Sequence, residues 1–163
     1  MGISSHLPTS QFSLEGEVTS WAKDTIQKYD ARAAELTSRV KTLEDQALTL
    51  HSFLDSVRAR LLTQGQANLS EPEFASCIEK LKEGGIDIPV PQDGLLTQQR
   101  ASDWMKIVDD VLERIQKHAQ QLQSRIPEAL LHLKETLQMT QKILGLIHEI
   151  IMLIIRNIGS HGQ

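Results

Sequence analysis

One cysteine, Cys77, is all the chain has, so neither an internal disulfide nor a cysteine-pair zinc site can form within it. Aromatic side chains are scarce too: three Phe, two Trp and one Tyr, 4% of the sequence. Nine Gly and five Pro in 163 residues are too few turn formers for a many-stranded sandwich or barrel. There is no excess of basic charge either. Seventeen basic against 21 acidic side chains leave a formal charge of −4. A protein that neutralises phosphates presents a basic face, so nucleic acid is not expected among the partners. The opening residues MGISSHLPTSQFS lack a charged start followed by an apolar core, so no cleaved signal peptide is expected. His6 stands where a myristoylation pattern requires Ser or Thr. Asn68-Leu69-Ser70 matches a glycosylation sequon, read as chance in a chain without such a signal. What these absences leave is a soluble all-α protein.

Residues 1–20 mix Ser, Thr, Gly and Pro with scattered apolar side chains and read as a flexible N-terminal segment. The clearest signal follows. Ile26, Tyr29, Ala33, Leu36, Val40, Leu43, Ala47, Leu50, Leu54, Val57 and Leu61 succeed one another at spacings of three and four. That is a heptad stripe, and charged residues such as Lys28, Glu35, Arg39 and Glu44 fill the positions between. Neither Pro nor Gly interrupts it, so one coiled-coil helix is expected over 21–63, on the order of 60 Å long.

Residues 64–97 differ in character. TQGQANL reads as a loop. Ser70 and Glu73 match a capping box around Pro72, which predicts a short helix with Phe74, Ile78 and Leu81 on one face. Gly84-Gly85 ends it, since glycine takes the left-handed conformation at least cost. Ile86, Ile88 and Val90 then alternate with Asp87, Pro89 and Pro91, which predicts a short edge strand or an extended arm. Asp93-Gly94 predicts a turn.

A second long helix is expected over 98–158, capped at Thr97 or Ser102. Its apolar line runs through Trp104, Val108, Val111, Ile115, His118, Leu122, Ile126, Leu130, Leu133, Leu137, Thr140, Leu144, Ile147, Ile151, Ile154 and Ile158. The spacing drifts between His118 and Leu130, as a stutter does, and Pro127 lies in the drift. A proline there removes a hydrogen bond and crowds the preceding turn, so a kink or short break is expected near 127. Beyond Lys142, ILGLIHEIIMLIIRNI carries Ile or Leu on nearly every face. A chain this small cannot surround such a helix alone. Leu146, Ile150, Leu153 and Ile155 lie off the stripe and are the expected interface for assembly or a partner.

Constellations for chemistry are weak. His148-Glu149 opens like a zinc-protease motif, but Met152 stands where the second histidine is needed. Asp109 and Asp110 are neighbours on a helix, so their carboxylates diverge by about 100°. Cys77 has no adjacent His or basic residue to lower its pKa. GGIDIPVPQDG lacks the Lys-Ser/Thr of a phosphate loop. His118 falls on the heptad stripe and reads as a core or interface histidine rather than a ligand. No enzyme, cofactor or metal is expected. The apolar end, about 16 residues with His148, Glu149 and Arg156, is short for a spanning helix, yet membrane contact remains an alternative.

A heptad helix, a small insert and a longer second helix can fold back as an antiparallel coiled-coil hairpin. Its expected core is Leu36, Val40, Leu43, Leu50, Leu54 and Val57 against Val111, Ile115, Leu133, Leu137, Leu144, Ile147 and Ile151, in one elongated helical domain over 21–163. This order of parts resembles the type III secretion needle-tip and translocator filament proteins (V antigen-like, EspA-like). LEDQALTLHSFLDSVRARL, Leu43 to Leu61, is similar to the end of the first coiled-coil helix of the V-antigen group. SEPEFASCIEKLKEGGIDIPVPQDG, residues 70–94, is similar to the short helix, Gly-Ile-x-Ile arm and turn of the filament proteins. The resemblance implies a virulence protein secreted to the bacterial surface without a cleaved signal. A cytoplasmic chaperone would hold it before export, and it would self-associate or meet needle or translocator subunits to support effector translocation. Two other readings stand beside it: a membrane-active or lipid-bound helical protein, and an intracellular coiled-coil adaptor.

Overall fold

A computed structural model describes the backbone of residues 6–161 and the side chains of 14–160. Five elements follow in order: α1 (His6–Gln64), β1 (Gln66–Asn68), α2 (Pro72–Glu83), β2 (Leu95–Thr97) and α3 (Gln98–His161). The fold is all-α, with two long helices that pack against each other and a small insert between them. The chain divides into two compact units, one of residues Leu36–Ser124 and one of Met1–Glu35 with Arg125–Gln163.

The unit Leu36–Ser124 holds the core. Leu50, Phe53, Leu54, Val57 and Leu61 of α1 bury with Phe74 and Leu81 of α2 and with Trp104, Val108 and Ile115 of α3. Phe53 is central, edge-to-face with Phe74 at 5.9 Å and with Trp104 at 5.9 Å between ring centroids. Leu36 and Val40 are also buried, while Leu43 and Val111 are half-buried against the cluster. The heptad stripe of α1 is thus its inner line.

The insert is closed by a feature the sequence did not announce. β1 and β2 pair antiparallel, Gln66 with Thr97, Ala67 with Leu96 and Asn68 with Leu95. Ala67 and Leu96 point into the core. This ribbon ties the end of α1 to the start of α3. Residues 86–91, where a short edge strand or an extended arm is expected, form neither strand nor helix. Pro89 and Pro91 lack the N–H a ladder needs. Ile86 and Ile88 bury in the core all the same, and the Trp104 indole donates to the Pro89 carbonyl at 2.7 Å.

The ends of α2 show where local chemistry overrode a motif. Its N-cap is Glu71, with no side-chain cap bond, and Pro72 stands in the first turn. Ser70 does not cap. Its own N–H donates to Asn68 Oδ1 at 3.0 Å, so the residue belongs to the preceding turn. At the other end, Gly85 takes φ +84. Its N–H reaches the Lys82 carbonyl at 3.0 Å, and the Ile86 N–H reaches the Leu81 carbonyl at 2.9 Å. This is a Schellman closure, with Leu81 and Ile86 buried as its apolar pair.

In the other unit α1 begins at His6, upstream of the expected start near residue 21, with Pro8 in a first turn that needs no proline N–H. Its described buried residues are small: Ala22 and Ala33 on α1, Ala129 and Thr136 on α3. Tyr29 stacks on His132 at 5.2 Å.

α3 runs through Pro127 with no break. Proline removes one backbone bond, and Leu122, Ile126 and Ala129 around it are buried or half-buried. The inner line of α3 also differs from the expected one. It passes through Ala119, Leu122, Ile126, Ala129, Leu133, Thr136 and Thr140, at threes and fours throughout. No stutter exists. Leu137, expected in the core, is 41% exposed, and His118 and Leu130 are exposed too. Ala119, Ala129 and Thr136 hold the inner positions and are buried there. The Thr136 hydroxyl is satisfied by the His132 carbonyl at 2.8 Å.

Candidate interaction surface

The groups that might have carried chemistry are dispersed. Cys77 is half-buried beside a groove of about 370 Å³ lined by Leu48, Ser52, Phe53, Glu73 and Phe74. Burial pushes its thiol pKa up, and Lys80 only partly opposes this, so it is no activated nucleophile. Asp109 pairs with Arg58 at 3.7 Å, and the Asp110 carbonyl accepts from Arg114 Nε at 3.3 Å. His148 and Glu149 are exposed. No group of three His, Cys, Asp or Glu could hold a metal ion among the described residues.

His118 lines a second groove of about 400 Å³ with Gln46, Gly84, Asp87, Arg114 and Ile115. Gln46 Nε2 donates to the Gly84 carbonyl at 3.0 Å, which fixes the end of α2 to α1. Both grooves are open hollows between packed helices rather than enclosed sites.

The polar clusters serve the fold. Arg60 bonds Glu71 at 2.9 Å and Glu73 at 3.4 Å while its guanidinium lies 5.4 Å from the Phe74 ring centre. Asp93 accepts from the Leu95 N–H at 3.2 Å and pairs with Arg100 at 3.1 Å. The backbone bond first, then Arg100, hold its carboxyl below the ordinary value of 3.8.

The outstanding surface is the end of α3. The four residues expected as an interface are all exposed: Leu146 59%, Ile150 55%, Leu153 57% and Ile155 57%. Met139, Met152, Ile154 and Ile158 are exposed with them. Leu133, Leu144, Ile147 and Ile151 are half-buried on the inner line. Charge is confined to one edge. Lys142, Glu149 and Arg156 follow at intervals of seven, so they stack on one line of the helix. The end is therefore apolar over somewhat more than half its circumference rather than all round. α3 contains an 18-residue stretch of mean hydropathy 1.6, none of it buried, long and apolar enough to cross a membrane by length and composition. What sequence reading missed is this ordering of the charges, visible once heptad positions are assigned to the outer as well as the inner face.

Comparison of the chain with family models, with curated proteins and with solved structures finds no match.

Proposed function

We propose that this protein is a structural, self-assembling helical protein without catalytic activity, and that the outer face of the last third of α3 is its assembly surface. One observation carries the reading. In the unit that includes this end, the described buried residues are Ala22, Ala33, Ala129 and Thr136, while Leu146, Ile150, Leu153 and Ile155 face solvent. Removing one such Leu or Ile from water is worth about 1.5–3 kcal/mol. Contiguous apolar patches of a few hundred Å² usually mark an interaction surface.

The finer architecture proposed is an antiparallel coiled-coil hairpin. The heptads of α1, the Tyr29–His132 stack and the Arg58–Asp109 pair support it, since the earlier α1 residue meets the later α3 residue. The finer role is the one implied by the resemblance of residues 43–61 and 70–94 to type III secretion tip and filament proteins. It is a secreted, surface-located component, held by a cytoplasmic chaperone before export and meeting needle or translocator subunits after it.

The test is light scattering coupled to size exclusion on the full chain and on the variant carrying Ile150→Glu, Leu153→Glu and Ile155→Glu. The full chain should form oligomers; the triple variant should keep its helical circular dichroism and run as a monomer. A full chain that stays monomeric at all concentrations sinks the reading. The hydropathy of α3 favours a second reading, in which the same residues enter a bilayer. That reading wins if the full chain floats with liposomes and the triple variant does not, with assembly equal in both.

A further inference from the structure

The geometry points to a specific occupant for that surface: the same segment of a second copy, running in the opposite direction about a two-fold axis beside Gly145 and Leu146. This rests on the assembly reading above and gives it a partner, a direction and a register.

α3 carries two apolar seams near its end. The inner one passes through Thr136, Thr140, Ile147 and Ile151, all buried or half-buried. The outer one is Met139, Ile143, Leu146, Ile150 and Leu153, spaced four, three, four and three. That is an unbroken heptad seam, one residue out of step with the first and so about 100° around the helix. Ile143 is half-buried; the other four are exposed. With Leu146 and Leu153 at d, Ile143 and Ile150 fall at a, so in an opposed pair each isoleucine packs against a d residue of the partner.

The flanking charges choose the partner and its direction. On one side of the outer seam stand Glu135, Lys142, Glu149 and Arg156, seven residues apart and alternating in sign. Lys142, Glu149 and Arg156 have no ion-pair partner among the described residues. On the other side lie Thr140, Ile147 and Ile154, which carry no charge. In a parallel pair each charged flank meets the uncharged flank of its partner, so Lys142 and Glu149 face isoleucines. In an opposed pair the charged flanks meet each other. About an axis beside Gly145 and Leu146, Lys142 of each copy faces Glu149 of the other, and Arg156 faces Glu135. The same register sets Ile143 on Leu146 and Ile150 on Met139. The charge row is thus complementary to itself in the opposed direction, and this register makes the most opposite-sign pairs, four, against two when the partner is shifted by two heptads. Two such seams bury on the order of 1,000 Å², the lower bound of a specific interface.

The test uses five samples of the full chain in sedimentation velocity over a dilution series, with circular dichroism as the folding control: wild type, Lys142→Glu, Glu149→Lys, the double exchange, and an equimolar mixture of the two single variants. Each single variant sets like charges face to face at two places and should weaken the dimer about tenfold. The double exchange restores both pairs and should return the wild-type constant. The mixture should do so as well, because one variant then offers two acids to two lysines of the other. If all five samples associate equally, this geometry is overturned while assembly through the apolar face stands. A wild type that stays monomeric overturns both, and its flotation on phosphatidylglycerol vesicles would identify lipid as the occupant.

Discussion

At the scale of single residues, position decides cost. Leu50 is fully buried within the core cluster, so Leu50→Ala should remove about 2–5 kcal/mol in chemical denaturation. Leu43 is only half-buried, and its loss should cost less than that. Ser70 is the opposite case. Its side chain makes no cap bond to α2, so Ser70→Ala should cost about 0.5 kcal/mol or less, although the motif suggests a cap. Asp93 adds a pH dependence. Its folded pKa is depressed, through the Leu95 N–H first and Arg100 second. A depressed carboxylate contributes stability that is full above its unfolded pKa and lost as pH falls through the folded value. The melting temperature of the wild type should therefore exceed that of Asp93→Asn near pH 7. The gap should close by about pH 2, and an equal gap at both pH values would contradict the role given to this charge.

At the scale of elements, the long helices were legible because periodicity is a repeated signal and the insert because its punctuation is strong. Gly84-Gly85 announced the end of α2, and Gly85 at φ +84 is where a side chain is strained by the backbone alone, since nothing lies within 4 Å of the added carbon. Gly85→Ala should cost about 1–2 kcal/mol and fray α2 first, detectable as faster amide exchange near Leu81 and Lys82. Three parts were not legible. The β1–β2 ribbon is three residues a side, too short for alternation to register against loop-like composition. The expected line of α3 holds at Leu122, Ile126 and Leu133 and departs from the observed one at His118, Leu130 and Leu137, because large apolar side chains are a stronger periodic signal than small ones. Ala119, Ala129 and Thr136 occupy the observed line, and Leu130 and Leu137 sit outside it. Composition favoured a loose segment up to residue 20, while the helix starts at His6, since a first turn tolerates Pro8. On the candidate surface, exposure of Leu146, Ile150, Leu153 and Ile155 was legible as excess apolar residues off the stripe. The order among Glu135, Lys142, Glu149 and Arg156 required knowing which seam faces inward.

At the scale of the whole molecule, stability and interaction are assigned to different stretches of chain. The large buried side chains, Phe53, Phe74, Leu50, Leu81 and Trp104 among them, lie within Leu36–Ser124, where ribbon, insert and both long helices contribute to one cluster. The exposed apolar run of α3 lies beyond residue 125. The two tryptophans report this division, because Trp104 is buried in the cluster and Trp21 is exposed on α1 outside it. A chain ending at Lys142 should therefore keep the fluorescence of Trp104 protected from acrylamide, as in the full chain. Its main unfolding transition should stay cooperative, with a midpoint within a few degrees, because no member of the core cluster is removed. Its association should vanish, because Leu146, Ile150 and Leu153 are gone. A shortened chain that exposes Trp104, or whose transition broadens over the whole temperature range, would mean that the apolar end completes the core of its own chain. The end would then be a folding element first, and assembly would have to be sought on another face.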